Sequence, residues 1–288
     1  MRDFGSDRAH PRIPLPRTRD AGLIHLIQET SRHHRIAFRR DAFTLIELLV
    51  VIAVIATLIA ILLPSLGQAR VTAKATNCLA RLQQLGVGTQ SYLNDFKEAL
   101  PQKLGPLPGG GESVIGALFA GKKGQVPFYG IDEIGPERRP LNKYIIDFPV
   151  PPDSEGGNTE LIAFRSPIDK GAGATGLPIP GLESTDSMYD FIGSSYTLND
   201  HTLSGEGDST LVPPGGGKMP IVVNTAKTWL IGTHPIYNFQ EDGDRRMEWI
   251  TRGRVEANLL FVDLHAKMRI PVPRGIVNKT DDYWFSPL

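Results

Sequence analysis

The chain has 288 residues, 41% of them hydrophobic, with 31 Lys and Arg balanced by 31 Asp and Glu. Zero net charge does not suggest a nucleic-acid partner, and a single cysteine, Cys78, excludes an intrachain disulfide scaffold. The length suits one membrane anchor followed by a globular domain of about 190 residues.

The charge is unevenly spread. Residues 1–42 carry nine Arg and no Lys against five acids, a net of +4 that leaves −4 for the remainder. Pro11, Pro14 and Pro16 stand in a stretch without apolar periodicity, so this segment reads as a basic, disordered leader. His33 and His34 sit between Arg32 and Arg35 and read as part of that leader rather than as a metal tract.

From Phe43 to Leu63 the only polar residues are Thr44, Glu47 and Thr57. Twenty-one residues at 1.5 Å each span roughly 31 Å, the thickness of a bilayer core, so the segment is predicted to be a transmembrane helix. A lone ionised Glu in hydrocarbon costs on the order of 2.5 to 3.5 kcal/mol, which calls for an interfacial position or a cationic partner for Glu47. Arg32, Arg35, Arg39 and Arg40 precede the span, but Arg70, Lys74 and Arg81 follow it closely, so basic charge alone does not orient it.

The string Ala42-Phe43-Thr44-Leu45-Ile46-Glu47-Leu48 resembles the processing site of type IV prepilins and type II secretion pseudopilins. The resemblance implies cleavage between Ala42 and Phe43 by a prepilin peptidase, N-methylation of Phe43, and a role for Glu47 in assembly. Ala42 stands where the family usually has Gly. A freed ammonium at Phe43 could meet Glu47 of a neighbouring subunit inside lipid, giving each copy one plug and one socket, a contact that repeats without closing. The competing arrangement pairs the amine with Glu47 of its own helix. The resemblance further implies a cytoplasmic N-terminus, a periplasmic C-terminal domain, an inner-membrane location, and as partners other pilin or pseudopilin subunits and an assembly platform.

Beyond Pro64 the helical period continues through Leu66, Ala69, Ala73, Thr76, Leu79, Leu82, Leu85, Thr89, Tyr92 and Phe96, predicting one amphipathic stripe that lies on a soluble domain. Pro64 removes a backbone donor and is expected to kink the helix where it leaves the membrane. Residues 78–86 with Tyr92 and Asp95 are similar to a pseudopilin-like pattern in which Arg81 replaces an Asn. Cys78, near the apolar stripe, is expected to be a buried structural thiol.

After Gly105, Gly and Pro recur every few residues and apolar runs shorten to strand length. Candidate strands are residues 113–119 (strand or short helix), 161–164, 194–198, 221–223, 228–231 and a hairpin of 258–262 with 266–270, with long Gly- and Pro-rich loops at 149–158, 171–181 and 205–217. Arg139-Pro140-Leu141-Asn142 and Ser195-Tyr196-Thr197-Leu198-Asn199 resemble elements of bacterial prepilin-like proteins. Ser166-Pro167-Ile168-Asp169 resembles a Cys-Pro-x-Asp element with Ser166 in the Cys place. In a degenerate terminal motif, Asp263 and His265 are kept, Leu264 replaces a Gly and Gly253 replaces a His. Leu264 therefore argues against a tight positive-φ turn.

Asp200, His201, His234, Asp263 and His265 are the residue types a metal or hydrolytic site uses, but their spacing matches no zinc motif and no nucleophile elbow is present. Asp242 and Asp244 in the acidic loop at 241–244 are candidates for Ca²⁺, against the simpler reading of a solvated turn. The tail Tyr283-Trp284-Phe285 is expected to close the core rather than to dock a peptide or sugar.

The expected architecture is α+β: a leader at residues 1–42, a transmembrane helix at 43–63, its amphipathic continuation at 64–100, and a head at 101–288 built on a small antiparallel sheet. The expected function is a non-enzymatic filament subunit that needs no cofactor and no nucleic acid. The alternative from another class is a signal-anchored periplasmic enzyme or ligand-binding protein.

Overall fold

The computed structural model describes residues 43–154 and 159–288, so the leader and Ala42 lie outside the described residues. The chain divides into two compact units, Met1–Val54 and Ile55–Leu288, and one helix, α1 (Leu45–Asp95), carries the chain from the first into the second. Within the first unit the described residues are the start of α1 and the two residues before it.

Leu, Ile, Val and Ala fill the first turns of α1 and favour unbroken helix in apolar surroundings. Pro64 stands inside the helix, which continues through it, and the Ser65 hydroxyl donates to the Leu62 carbonyl at 2.9 Å. The helix ends without glycine. Lys97 and Glu98 take left-handed φ values of 51° and 72°, and Glu98 N donates to Leu93 O at 3.0 Å, closing the last turn as a helix C-cap does.

In the second unit, α1 is buried at Ala75, Cys78, Leu82, Leu85, Gly86, Gly88, Thr89 and Tyr92. The predicted stripe is right from Leu82 to Tyr92 and shifted by one position before it: Ala75 and Cys78 are covered, while Ala73 and Thr76 are exposed. Leu66, Ala69 and Phe96 are exposed too, although the Lys143 ammonium lies 5.1 Å from the centre of the Phe96 ring. A Cβ on Gly86 would come 3.1 Å from a Leu260 methyl, so the missing side chain lets α1 lie close on the sheet.

That sheet has four antiparallel strands: β3 (Tyr196–Leu198), β6 (Trp229–Thr233), β7 (Glu256–Phe261) and β8 (Ala266–Pro271), numbered after two hairpin strands β1 (Leu104–Pro106) and β2 (Glu112–Val114) and a second small pair, β4 (His201–Thr202) and β5 (Gly205–Ser209). Every residue of β7 is buried because both faces are covered. Leu260 joins the core shared with Leu82 and Leu85 of α1, whereas Ala257, Leu259 and Phe261 face a second cluster with Trp229, Tyr283 and Phe285. The tail therefore closes the core as expected. Trp284 completes it at the rim, with the Lys279 ammonium 3.7 Å from its ring centre.

Residues 113–119 hold both predicted alternatives, β2 followed by a 3-10 turn at Gly116–Phe119. Two predicted strands are absent. Residues 161–164 instead form a 3-10 turn, Ile162–Phe164, whose Ile162 carbonyl accepts from Arg165 N at 3.2 Å and from the Arg81 guanidinium at 2.8 Å. Residues 221–223 follow Pro220 with Ile221 86% exposed, and Val223 N reaches the tail carbonyl of Pro287 at 2.8 Å rather than a sheet edge. Two short helices, α2 (Asn142–Ile145) and α3 (Met188–Ile192), complete the head.

The β7–β8 hairpin is present with Asp263-Leu264-His265 at its turn, and here the glycine argument fails. Leu264 adopts φ 68° with its N–H on Phe261 O at 2.9 Å, so the tight positive-φ turn forms without Gly. Asp263 Oδ1 accepts from His265 N at 3.2 Å and from its ring, and the packing of Leu264 on the core offsets the backbone cost.

Candidate functional site

The first candidate site is the start of α1. Thr44 is its N-cap and Glu47 its third residue, the Thr-x-x-Glu spacing of a capping box. Thr44 Oγ1 accepts from Glu47 N at 3.2 Å, while Glu47 Oε2 accepts from Thr44 N at 2.9 Å and from the Thr44 hydroxyl at 2.7 Å. Sequence reasoning passed over Thr44, although the spacing was the available signal. Both bonds use the same carboxylate oxygen, and Oε1 accepts none among the described residues. The arrangement orients Glu47 without exhausting it. The cap would survive a cut before Phe43, because Thr44 N stays an amide.

Every residue from Phe43 to Lys74 is exposed, including Leu45 at 80% and Ile46 at 73%. So long an apolar surface is unfavourable in water, at about 25 cal/mol per Å², and matches a lipid or helical neighbour instead. The helix is long and apolar enough to cross a membrane.

The predicted head residues separate into two places. Asp200, His201 and His234 line one cavity, together with Arg245 and Gln240, which sequence reasoning missed. Asp263 and His265 are in the β7–β8 turn and do not line it. His234 is buried and its Nε2 contacts the Ser194 carbonyl at 3.1 Å, which requires a proton on that nitrogen; burial pushes its pKa down to about 4. The two threonines of the cavity spend their hydroxyls on the carbonyls of Leu182 and Leu198, so neither is poised as a nucleophile.

In the acidic loop, Asp244 Oδ1 accepts from Asn238 Nδ2 at 3.0 Å and from Arg246 N at 2.9 Å, and the Asn238 amide foremost holds its carboxyl below the usual range. The Asp242 side chain lies outside the described residues. Among the described residues, no three His, Cys, Asp or Glu side chains are placed to share a metal ion.

The motifs quoted from the head converge on structural joints. Asp169 accepts from the backbone N–H groups of Gly171, Met188 and Tyr189 and from the Ser195 hydroxyl at 2.6 Å, anchoring the start of α3. The fully buried Arg139 donates to the carbonyls of Ala117, Ala120, Ile134 and Ile192, and Asn142 bridges both polar backbone groups of Gly121. Buried charge is tolerable there because its donors are met. Cys78 is buried beside Ser166 and Tyr196, and the same burial pushes its thiol pKa up.

Residues 38–63 match the family model of the prokaryotic N-terminal methylation motif, a match that covers Ala42, Phe43, the Thr44–Glu47 cap and the apolar part of α1 up to Pro64. The chain matches no curated protein and no solved structure. The motif is of the kind that marks prepilin-type substrates. With this motif leading a long apolar helix into a head of small antiparallel sheets, the start of the chain is similar to that of type IV prepilins and pseudopilins.

Proposed function

We propose that the protein is a structural subunit, a pilin, minor pilin or pseudopilin, of a type IV pilus or a type II secretion-like filament. A prepilin peptidase cuts between Ala42 and Phe43, Phe43 is N-methylated, and the subunit assembles through Glu47. Residues 43–63 sit in the inner membrane with the N-terminus cytoplasmic and the head periplasmic, and Pro64 is the point at which the helix bends during packing. The protein acts by assembly with other subunits and an inner-membrane platform, not by turnover.

The observation that carries this reading is the methylation motif at residues 38–63 coinciding with an exposed apolar helix start. The capping geometry supports the part assigned to Glu47. Its Oε2 is held by Thr44, and Oε1 is left for the ammonium of a neighbouring Phe43. In hydrocarbon such a pair is far stronger than in water, and it repeats from copy to copy. Calcium at Asp242 and Asp244 is not needed by this mechanism.

The test is Glu47→Gln, which keeps an acceptor for Thr44 N and removes the charge. Filaments or secretion complexes should fall at least about tenfold while cleavage and membrane insertion persist. Normal assembly of the Gln variant would refute the assignment of Glu47.

A further inference from the structure

The head contains a cavity of about 170 Å³ that the assembly reading does not use. Most of its wall is apolar, with Ile115, Val126, Phe128, Phe191, Ile192 and Met247. One side is different. There Arg245 Nη2 donates to Gln240 Oε1 at 3.3 Å, Gln240 Nε2 faces His201 Nε2 at 3.0 Å, and His201 Nδ1 lies 2.8 Å from Asp200 Oδ1.

The direction of each bond in this chain is fixed by its ends. Arg245 only donates and the Asp200 carboxylate only accepts, so Gln240 donates to His201 Nε2 and the His201 proton sits on Nδ1. Asp200 is met further by Gly116 N at 2.7 Å and the Tyr237 hydroxyl at 3.4 Å, and the His201 ring stacks on Tyr237 with centres 4.5 Å apart. A carboxylate with three donors needs no cation from outside.

Arg245 is different. Apart from Gln240 it donates to the Thr175 carbonyl at 2.9 Å, and it enters none of the ion pairs found among the described residues. Of its five N–H groups, these bonds use two. Burial lowers its pKa from the ordinary guanidinium value, which reflects lost hydration. The Glu241 carboxylate acts on it only from beyond ion-pair distance, so a guanidinium largely drawn out of water, with spare donors facing a mostly apolar cavity, is complementary to an anion.

We propose that this cavity is a binding site for a small monocarboxylate with a compact apolar body, its carboxylate on Arg245 and its body against Phe128, Phe191 and Met247. The size agrees. An apolar cavity of about 150 Å³ admits one benzene, so a single ring or a short branched chain fills this one. The spent hydroxyls of Thr175 and Thr197 make it a site of binding rather than of turnover.

The experiment is isothermal titration of the full chain in detergent micelles with sodium benzoate, and with benzamide as an uncharged molecule of the same shape. Benzoate should saturate one site and bind at least about tenfold more tightly than benzamide. Arg245→Gln should erase that preference, with circular dichroism showing the head still folded. Leu177→Trp, which keeps the guanidinium and fills the cavity, should abolish binding of both and decides the matter if the Gln variant unfolds. No saturation up to roughly 20 mM benzoate, equal affinity for benzamide, or unchanged binding by either folded variant would overturn the proposal. The assay requires no filament, so its failure and that of the assembly reading are separate results.

Discussion

The Ser166 hydroxyl lies 3.2 Å from the Cys78 sulfur, joining the head to α1 at two positions 88 residues apart in the chain. Ser166 occupies the Cys place of a Cys-Pro-x-Asp-like element, so two quoted resemblances meet at one contact. Ser166→Cys is expected to form a disulfide with Cys78 under oxidising conditions. Closing so long a loop stabilises by about 4.6 kcal/mol if the bond forms without strain. Thiol counting by mass after alkylation, with urea unfolding in oxidant and in reductant, checks this; two free thiols in the oxidised folded variant would contradict it. In the parent chain Cys78 should resist alkylation until the head is unfolded.

Leu264 holds a left-handed turn that a glycine would hold without strain, yet its side chain packs on the core. Leu264→Gly should thus leave stability within about 1 kcal/mol of the parent, as backbone relief and lost packing offset each other. Leu264→Val should cost more than about 1 kcal/mol, since a β-branched residue fits that φ worst. Urea midpoints of the two variants give the answer, and the account is wrong if Val proves the milder change.

His234 ties the head to pH. Its folded pKa is pushed down to about 4 from an ordinary 6.5, chiefly by burial. As pH falls through 6.5 the unfolded chain takes a proton that the folded chain refuses, so the stabilisation is complete above 6.5 and is lost on the way down to about 4. The full loss is about 3 kcal/mol. His234→Gln, which can still donate to the Ser194 carbonyl, should show a smaller loss than the parent between pH 7 and pH 4.5 in urea titrations. An identical pH profile for the two would remove His234 as the cause.

How far the sequence could be read follows from where the signals are local. The apolar run and the Phe43–Glu47 string sit within one stretch of chain, so the helix and the methylation motif were visible directly. The β7–β8 hairpin and the buried tail were visible for the same reason: each is a short run with its turn or terminus attached. What escaped depends on distant partners. Residues 161–164 have the apolar run of a strand but sit as a turn whose Ile162 carbonyl meets Arg81, 81 residues away, and nothing local distinguishes Arg245 or Gln240 from other polar loop residues. Thr44 is the exception, because its capping box was written in adjacent residues.

The most direct measurement is intact-mass and N-terminal analysis of the protein extracted from membranes with and without the prepilin peptidase. The account predicts a chain beginning at methylated Phe43 when the peptidase is present, and a longer chain retaining Ala42 when it is absent. The same uncleaved chain in both strains would contradict it.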